Sequence, residues 1–202
     1  NDPKTIGRSP WEMAEQSRSV IEDKSENPFF LFYATDDPHR SNAFLSNGLP
    51  TFDTYPEPNR FGNRDEGYPG IDPVIYNPDD VLIPPFLPDT PACRAEIAEY
   101  YPSVSRLDQG VARIVEILKQ ADKYDNTLII YLSDNGIAFA GAKTTLYEPG
   151  MRLPLIVREP GQKRGGHVQN AMISWVDIAP TIYDYAGVDV SDIELHGKSF
   201  RK

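Results

Sequence analysis

The chain has 202 residues, a net charge of −10 at neutral pH and a single cysteine. That length fits one domain with a sizeable core, and an apolar fraction of 40% is ordinary for a globular protein. The acidic balance argues against nucleic acid or an anionic membrane surface as partner, because such binding needs clustered Lys and Arg. One cysteine excludes an internal disulfide framework, and no apolar run approaches the roughly 20 residues of a membrane span.

The first predicted element is a helix that begins after Ser9. Ser9 is a capping residue type, Pro10 suits the first helical position, and apolar residues then recur at helical spacing as far as Ile21. Residues 29–34 follow as an apolar strand. Because both faces of this strand are apolar, we expect helices to cover it on both sides.

Residues 36–91 are rich in proline and contain 11 of the chain's 19 prolines. Few of their backbone N–H groups can join a sheet, so the segment is predicted to be one long loop. A loop of this length inside a compact domain is usually functional or flexible. Two interpretations stay open: an excursion over the active-site face that shapes a substrate pocket, or a rigid surface wrap.

A long helix is predicted next, over about residues 90–121, with Pro102 expected to kink or interrupt it. It leads into an apolar strand at 127–132. The order strand, helix, strand makes a parallel sheet with a right-handed crossover the default.

Two further strands are predicted at residues 153–157 and 168–173, and a last helix at about 176–185 with Gly187 as its stop. All predicted strands belong to one unit that spans residues 1–202. The predicted fold class is therefore α/β, with a largely parallel sheet flanked by helices and the long proline-rich loop at about 36–91.

The strand at 127–132 ends abruptly in Ser133, Asp134, Asn135 and Gly136. Ligands bind at the carboxyl ends of strands in open α/β sheets. The oxygens of Asp134 and Asn135 suit Ca²⁺ or Mg²⁺, and Gly136 keeps the turn free of a side chain. An ordinary strand exit is the alternative, because Asp, Asn and Gly are frequent in turns.

Several other segments of the chain form a recognisable set of motifs together with this strand end. After Gly136 come Lys143 and then residues 147–154, which read Tyr-Glu-Pro-Gly-Met-Arg-Leu-Pro, while residues 37–40 read Asp-Pro-His-Arg. Together with residues 176–182 and 196–200, they resemble the sulfatases of the alkaline-phosphatase-like superfamily over nearly the whole chain. Within that family, residues 37–40, 79–91 and 106–111 are most similar to the sulfamidase type, which hydrolyses the N-sulfate of glucosamine.

The resemblance implies a role for each candidate site residue. Asp134 and Asn135 would be ligands of Ca²⁺, with Mg²⁺ as the alternative, and Lys143 would contact a sulfate oxygen. His39 would lie near the leaving group, where a histidine is a natural proton donor. Arg40 would hold a substrate carboxylate or sulfate with its bidentate fork, or else be a surface residue.

Two family motifs are missing. The chain has neither the Cys-x-Pro-Ser-Arg or Ser-x-Pro-x-Arg motif that yields the formylglycine nucleophile nor the early Asp-Asp pair that binds the metal. Cys93 stands in Pro-Ala-Cys-Arg-Ala and is interpreted as a small packed residue. Asp36 and Asp37 are assigned to a turn, with substrate contact as the minor alternative. The chain thus resembles the second, C-terminal part of a sulfatase catalytic domain, with formylglycine expected only in a missing upstream segment.

Some other polar residues are not predicted to be catalytic. Glu148 and Arg152 are expected to form a charged pair that holds the loop behind Lys143. His167 and His196 lack metal-ligand spacing with partners and are interpreted as solvated or hydrogen-bonded residues.

The predicted function is hydrolysis of a sulfate ester or N-sulfate, with this chain carrying part of the active site. A non-catalytic domain with weak cation or sulfate binding, and a phosphoesterase of the same superfamily, are the alternatives. The acidic charge favours a small sulfated molecule or a saccharide end over a long polyanion. The remainder of the catalytic domain, upstream, is the expected protein partner. No signal peptide begins the chain, and only the family suggests export.

Overall fold

The computed structural model describes residues 6–25, 27–41 and 58–201. They form helices α1 (Pro10–Ile21), α2 (Pro91–Gln120), α3 (Glu148–Met151) and α4 (Ile178–Ala186), and strands β1 (Ile129–Leu132) and β2 (Leu155–Arg158). Single turns of 3₁₀ helix cover Tyr124–Asn126 and Trp175–Asp177. No described helix is both long and apolar enough to traverse a bilayer.

The two long helices confirm their predictions. Ser9 precedes α1 with Pro10 at the first position, and the Thr90 side chain caps α2 by accepting a bond from the amide of Cys93 at 3.3 Å. The helices pack on each other, and Arg113 of α2 joins them by donating to the carboxylate of Glu15 at 2.5 Å.

Pro102 does not interrupt α2, which continues through it for 30 residues. The part of the prediction that proposed an interruption is therefore wrong. Proline removes one backbone donor and costs on the order of 3 kcal/mol in a helix interior. The buried side chains on both sides of it, among them Ile97 and Leu107, supply the packing that keeps the helix in place.

The sheet differs from the prediction. Among the described residues, β1 and β2 form one two-stranded sheet. The pair is antiparallel: the Ser133 amide after β1 meets the Pro154 carbonyl before β2, at 3.4 Å. A largely parallel sheet is therefore not confirmed. Strand 153–157 is confirmed as β2 with its bounds shifted by one or two residues.

The predicted strand at 29–34 does not pair in the structure. Its residues are not assigned to a strand, and the side chains of Phe30 and Phe32 are 71% and 81% exposed. The expectation of cover on both faces is therefore wrong for this chain, since only the opposite face packs inward. Residues 168–173 form no strand either, and Met172 is fully exposed.

The proline-rich loop is confirmed where it is described, because residues 58–90 contain no helix or strand. Residues 42–57 of the predicted loop lie outside the described residues. The loop supplies Phe61, which is fully buried and stacks on Phe139 with ring centroids 5.7 Å apart. Tyr100 of α2 meets both rings edge-on, at 5.4 and 5.6 Å. This aromatic cluster forms the centre of the main core.

Internal contacts divide the chain into two compact units, and the assignment of residues 1–202 to one part of a catalytic domain stays a prediction. The first comprises Asn1–Asp125 with Tyr131–Ile156, and includes α1, α2 and α3. The second comprises Asn126–Ile130 with Val157–Lys202, and includes α4, which ends at Gly187 as predicted. In the second unit the chain after α4 returns to it, since the Phe200 amide donates to the Thr181 hydroxyl at 3.1 Å.

Candidate functional site

His39 lies on a tight turn that follows the extended segment. The turn closes through the His39 amide, which donates to the carbonyl of Asp36 at 2.7 Å. The peptide bond between Asp37 and Pro38 is cis. The imidazole is exposed, and its Nδ1 lies 2.8 Å from the carbonyl oxygen of Arg40. The other ring nitrogen, Nε2, has no hydrogen-bond partner among the described residues.

The buried side chain of Asp37 stabilises the turn through ion pairs. This side chain is fully buried and accepts from Arg106 at 2.6 and 2.8 Å and from Arg8 at 3.1 Å. Burial raises the pKa of the Asp37 carboxyl, while the hydrogen bonds and charges of the two arginines oppose that rise. Asp37 therefore belongs to the turn, as predicted, and is inaccessible to a substrate.

Arg40 connects the His39 turn to the chain beyond Gly136. Its Nε donates to the carbonyl of Ala138 at 2.6 Å, and both terminal nitrogens donate to Glu96 of α2, one of them at 2.9 Å. The guanidinium also lies over the rings of Phe61 and Phe139, 5.2 and 5.0 Å from their centroids. All three nitrogens thus have protein acceptors, and substrate contact by Arg40 stays a prediction.

Asp134 and Asn135 stand where the chain leaves β1. Asp134 is exposed, and its carboxylate has no hydrogen-bond or ion-pair partner among the described residues. Asn135 donates from Nδ2 to the Gly136 carbonyl at 3.2 Å, which leaves its Oδ1 without a donor in the same part of the chain. A carboxylate and an amide oxygen without competing partners in this part of the chain fit a Ca²⁺ or Mg²⁺ ion as part of its ligand set.

Asp134 and Asn135 alone would not make a complete metal site. Ca²⁺ usually takes six to eight oxygens. Residues 6–25, 27–41 and 58–201 contain no group of three or more His, Cys, Asp or Glu side chains that could hold a metal ion. A complete ligand set would therefore need further oxygens, such as backbone carbonyls, amide oxygens, water or residues outside these ranges.

The loop after Asn135 returns tightly to present Lys143. The Lys143 amide donates to the carbonyl of Ile137 at 3.1 Å, and the buried Phe139 anchors the intervening turn in the aromatic core. Lys143 itself is half-buried, and its ammonium has no ion-pair partner among the described residues. One short hydrogen-bonded loop therefore carries Asp134, Asn135 and Lys143, the residues that the sequence analysis proposed as metal ligands and as the cation that contacts sulfate.

Gly136 is required by packing at the centre of this loop. A Cβ placed there would lie 2.5 Å from the carbonyl oxygen of Pro149 and 2.9 Å from the Cα of Gly150. The sequence interpretation gave this glycine the role of sparing an ion from a side chain. The structure adds a second reason, a close backbone approach to the start of α3, and the role toward an ion stays a prediction.

The predicted charged pair behind Lys143 is present. Arg152 donates to Glu148 at 3.1 Å one helical turn away, but the two side chains are 84% and 73% exposed. An exposed pair of this kind contributes little stability, so the loop is held mainly by its backbone bonds and by Phe139.

Sequence reasoning missed Arg8, Glu96 and Arg106. Each bonds to the His39 turn or to Arg40 from more than 30 residues away in the chain. In the sequence these three residues are charged positions on amphipathic helices or in a short turn. Charged residues in such positions usually face solvent, so nothing indicated their contacts.

Cys93 is predicted to react slowly with thiol reagents. Burial raises the pKa of its thiol, and the nearby carboxylates of Glu96 and Asp89 add to the rise, so little thiolate is present at neutral pH. We expect alkylation by iodoacetamide at pH 7.5 to be slower than that of free cysteine, and to accelerate only at more alkaline pH. Rapid modification at neutral pH would contradict the structural interpretation of this residue.

Comparison with known proteins gives consistent matches. A family model described as Sulfatase matches residues 4–188. N-sulphoglucosamine sulphohydrolase of Homo sapiens is 38% identical over 196 residues, which are 95% of this chain and 38% of that protein. N-acetylglucosamine-6-O-sulfatase of Bacteroides thetaiotaomicron is 38% identical over 102 residues, which are 48% of this chain and 18% of that protein.

A solved structure agrees with the fold. The crystal structure of Ps i-CgsB in complex with k-i-k-neocarrahexaose superposes with a TM-score of 0.60 at 23% identity, covering 96% of this chain and 36% of that one. The chain thus spans less than two fifths of the length of each of these three proteins.

Proposed function

Because the chain belongs to the sulfatase family, we propose that it carries part of the active site of an enzyme that hydrolyses a sulfate ester or an N-sulfate. The loop from β1 to Lys143 is the observation that supports this most directly. It presents Asp134 and Asn135, whose side-chain oxygens lack partners among the described residues, and returns through the bond between the Lys143 amide and the Ile137 carbonyl. Hydrolysis of a sulfate requires stabilisation of the negative charge on the sulfuryl oxygens, which a bound metal ion and a lysine can provide.

Each candidate residue would have its own role in the reaction. Asp134 and Asn135 would hold Ca²⁺, or Mg²⁺, which supplies charge neutralisation on the sulfuryl oxygens. Lys143 would donate to one of these oxygens as negative charge develops on them. His39 would give a proton from Nε2 to the departing oxygen or nitrogen. The nucleophile would come from formylglycine in a segment upstream of this chain.

The proposed substrate is a sulfated saccharide, attacked at a chain end, or a small sulfated molecule. Two relatives bear names that specify sulfated glucosamine derivatives, one an N-sulfate and the other a 6-O-sulfate. The net charge of −10 disfavours long sulfated chains through repulsion that is strongest at low salt. Kinetics on oligosaccharides of increasing length would test this choice, and tighter binding of the longest ones at low salt would contradict it.

We also propose that the rest of a sulfatase catalytic domain packs against residues 29–34. Phe30 and Phe32 project from one side of this extended segment, and its backbone forms no ladder with other described strands. Unpaired, apolar, extended backbone readily accepts a neighbouring strand. Arg40 and the His39 turn follow directly, so such pairing would also help to complete the active site.

Sequencing the coding DNA upstream of Asn1 tests the proposal first. An open frame that encodes an Asp-Asp pair and a Cys-x-Pro-Ser-Arg or Ser-x-Pro-x-Arg motif is expected. The polypeptide that contains both parts should then release sulfate from an aryl sulfate or from N-sulfated glucosamine, and Asp134→Ala should abolish most of this activity. A start codon directly before Asn1 would instead support a non-catalytic domain with weak cation or sulfate binding.

The 202-residue chain is predicted to bind Ca²⁺ only weakly. With two side-chain ligands in place of six to eight, we expect a Kd of roughly 10⁻⁴ M or weaker by isothermal titration calorimetry. Asp134→Asn should remove the binding, whereas Asp192→Asn, which deletes an equal charge at an exposed position in the second unit, should not. A micromolar Kd would mean that additional ligands exist within this chain.

A further inference from the structure

The carbonyl oxygen of Arg40 accepts two hydrogen bonds that together connect Arg8 to His39. His39 approaches it through Nδ1 at 2.8 Å, and Arg8 donates to it through Nη2 at 3.2 Å. We propose that Arg8 is a positioning residue, which sets the orientation and the protonated nitrogen of the His39 imidazole. The consequence for catalysis rests on the proposed sulfatase function, but the effect on His39 does not.

Arg8 is well placed for this task because its contacts lie on both sides of the histidine. Its Nη1 donates to the carbonyl of His39 at 3.0 Å, to the carbonyl of Phe61 at 3.2 Å and to the buried carboxylate of Asp37 at 3.1 Å. The peptide groups before and after the Arg40 Cα are thereby held by one side chain. Arg8 does not touch the imidazole, so it acts through the backbone.

The shared carbonyl determines which ring nitrogen carries a proton. A carbonyl oxygen can only accept, so Nδ1 must be the donor in this contact. Neutral His39 is then protonated at Nδ1, with the lone pair on Nε2. If the imidazolium gives its Nε2 proton to a leaving group, the product is this same neutral form, which the Arg40 carbonyl stabilises.

The position of Arg8 is itself fixed by its surroundings. Its side chain is 18% exposed and is tied to Asp37, whose carboxylate Arg106 holds from α2. Gly62 leaves room for it, because a Cβ at Gly62 would lie 2.5 Å from the Arg8 Cδ, and Gly62 has a φ of +75°. A lysine at position 8 could keep the charge near Asp37 but could not reach three carbonyl oxygens with one ammonium.

The test is the tautomer of His39 in the full 202-residue chain, measured by long-range ¹H–¹⁵N correlation at a pH where the imidazole is neutral. The chain has three histidines, and the exposed His167 and His196 serve as internal references. We expect Nδ1 protonation at His39 in the unaltered chain. Arg8→Ala and Arg8→Lys should shift the tautomer ratio toward Nε2 protonation by roughly 2- to 10-fold, as expected for one weakened hydrogen bond.

Matched controls separate this effect from general destabilisation. Arg18→Ala removes an arginine from α1 that pairs with Glu15 and Glu22, and it should leave the His39 ratio unchanged. If Arg8→Ala does not fold, by circular dichroism, Arg8→Lys provides the measurement, and Gly62→Ala provides a second displacement of the same guanidinium. An unchanged His39 ratio in a folded Arg8 variant would overturn the proposal.

In the polypeptide with a complete active site, Arg8→Lys should lower kcat roughly 10- to 100-fold while KM stays within about two-fold, since orientation and not substrate binding is lost. An increase in KM at constant kcat would overturn the catalytic part of the proposal. If no sulfatase activity is found at all, the NMR result still decides the role of Arg8. Failure of the proposed function and failure of this inference can thus be distinguished.

Discussion

Replacing Lys143 with alanine in the complete enzyme is expected to lower kcat by about 10²–10³-fold, the usual effect of removing one preorganised donor from a developing anion. The Lys143 backbone is held by the Ile137 carbonyl, so the truncation should remove the ammonium without moving the loop. Because the charge acts mainly in the transition state, kcat and kcat/KM should fall together. Steady-state kinetics on an aryl sulfate measures both.

Two variants serve as controls for Lys143. Lys143→Arg keeps the charge and should recover part of the loss, whereas Lys163→Ala removes an equal charge from an exposed position in the second unit and should leave kcat unchanged. Unaltered kinetics for Lys143→Ala would remove this residue from the active site. The Asp134 and Asn135 assignment would survive that result, because it rests on a different part of the loop.

The helices were predictable because their signals are local. Ser9 with Pro10, and Thr90 with the apolar residues after it, mark where α1 and α2 begin, and Gly187 marks where α4 ends. Caps and helical periodicity depend only on neighbours within four residues or so. The predicted interruption at Pro102 was wrong, because the tertiary packing of α2 outweighs the free-energy cost of a proline inside the helix.

The sheet was less predictable because pairing is a long-range property. Residues 29–34 have the apolar composition of a buried strand, but a strand needs a partner, and the described residues provide none for them. The direction of β2 relative to β1 likewise depends on the connection through Lys143 and α3, which returns the chain antiparallel. Composition alone cannot distinguish these cases.

In the candidate site, too, local motifs were predictable from the sequence and long-range contacts were not. The residues that would meet a substrate or ion stand in short motifs, such as the run from Asp134 to Gly136, and so were identified from the sequence. The residues that hold the His39 turn and Arg40 in place, Arg8, Glu96 and Arg106, come from distant positions and carry no motif. Their partners are far away in the chain, and a charged residue on a helix or in a turn is ordinarily solvated, so nothing in the sequence indicated these contacts.

The largest effect on stability is expected for Arg106→Met. Arg106 and Asp37 are 5% and 0% exposed and are joined by two bonds of 2.6 and 2.8 Å. Methionine would fill much of the volume but would leave the buried carboxylate with Arg8 alone. Breaking a buried ion pair from one side costs about 3–5 kcal/mol, because the remaining charge is uncompensated. Urea unfolding should show a loss of this size in the free energy of unfolding.

Arg113→Met is the matched control on the same helix. Arg113 also makes two carboxylate contacts, to Glu15 and Glu116, but these side chains are 21 to 59% exposed. Water can solvate the partners after the substitution, so the expected loss is below about 1 kcal/mol. Adding Asp37→Asn to Arg106→Met should recover part of the stability, since it removes the orphaned charge. Equal losses in the free energy of unfolding for Arg106→Met and Arg113→Met would show that burial of an ion pair does not determine its contribution to stability. The conclusion that Asp37 and Arg106 stabilise the His39 turn would then be wrong.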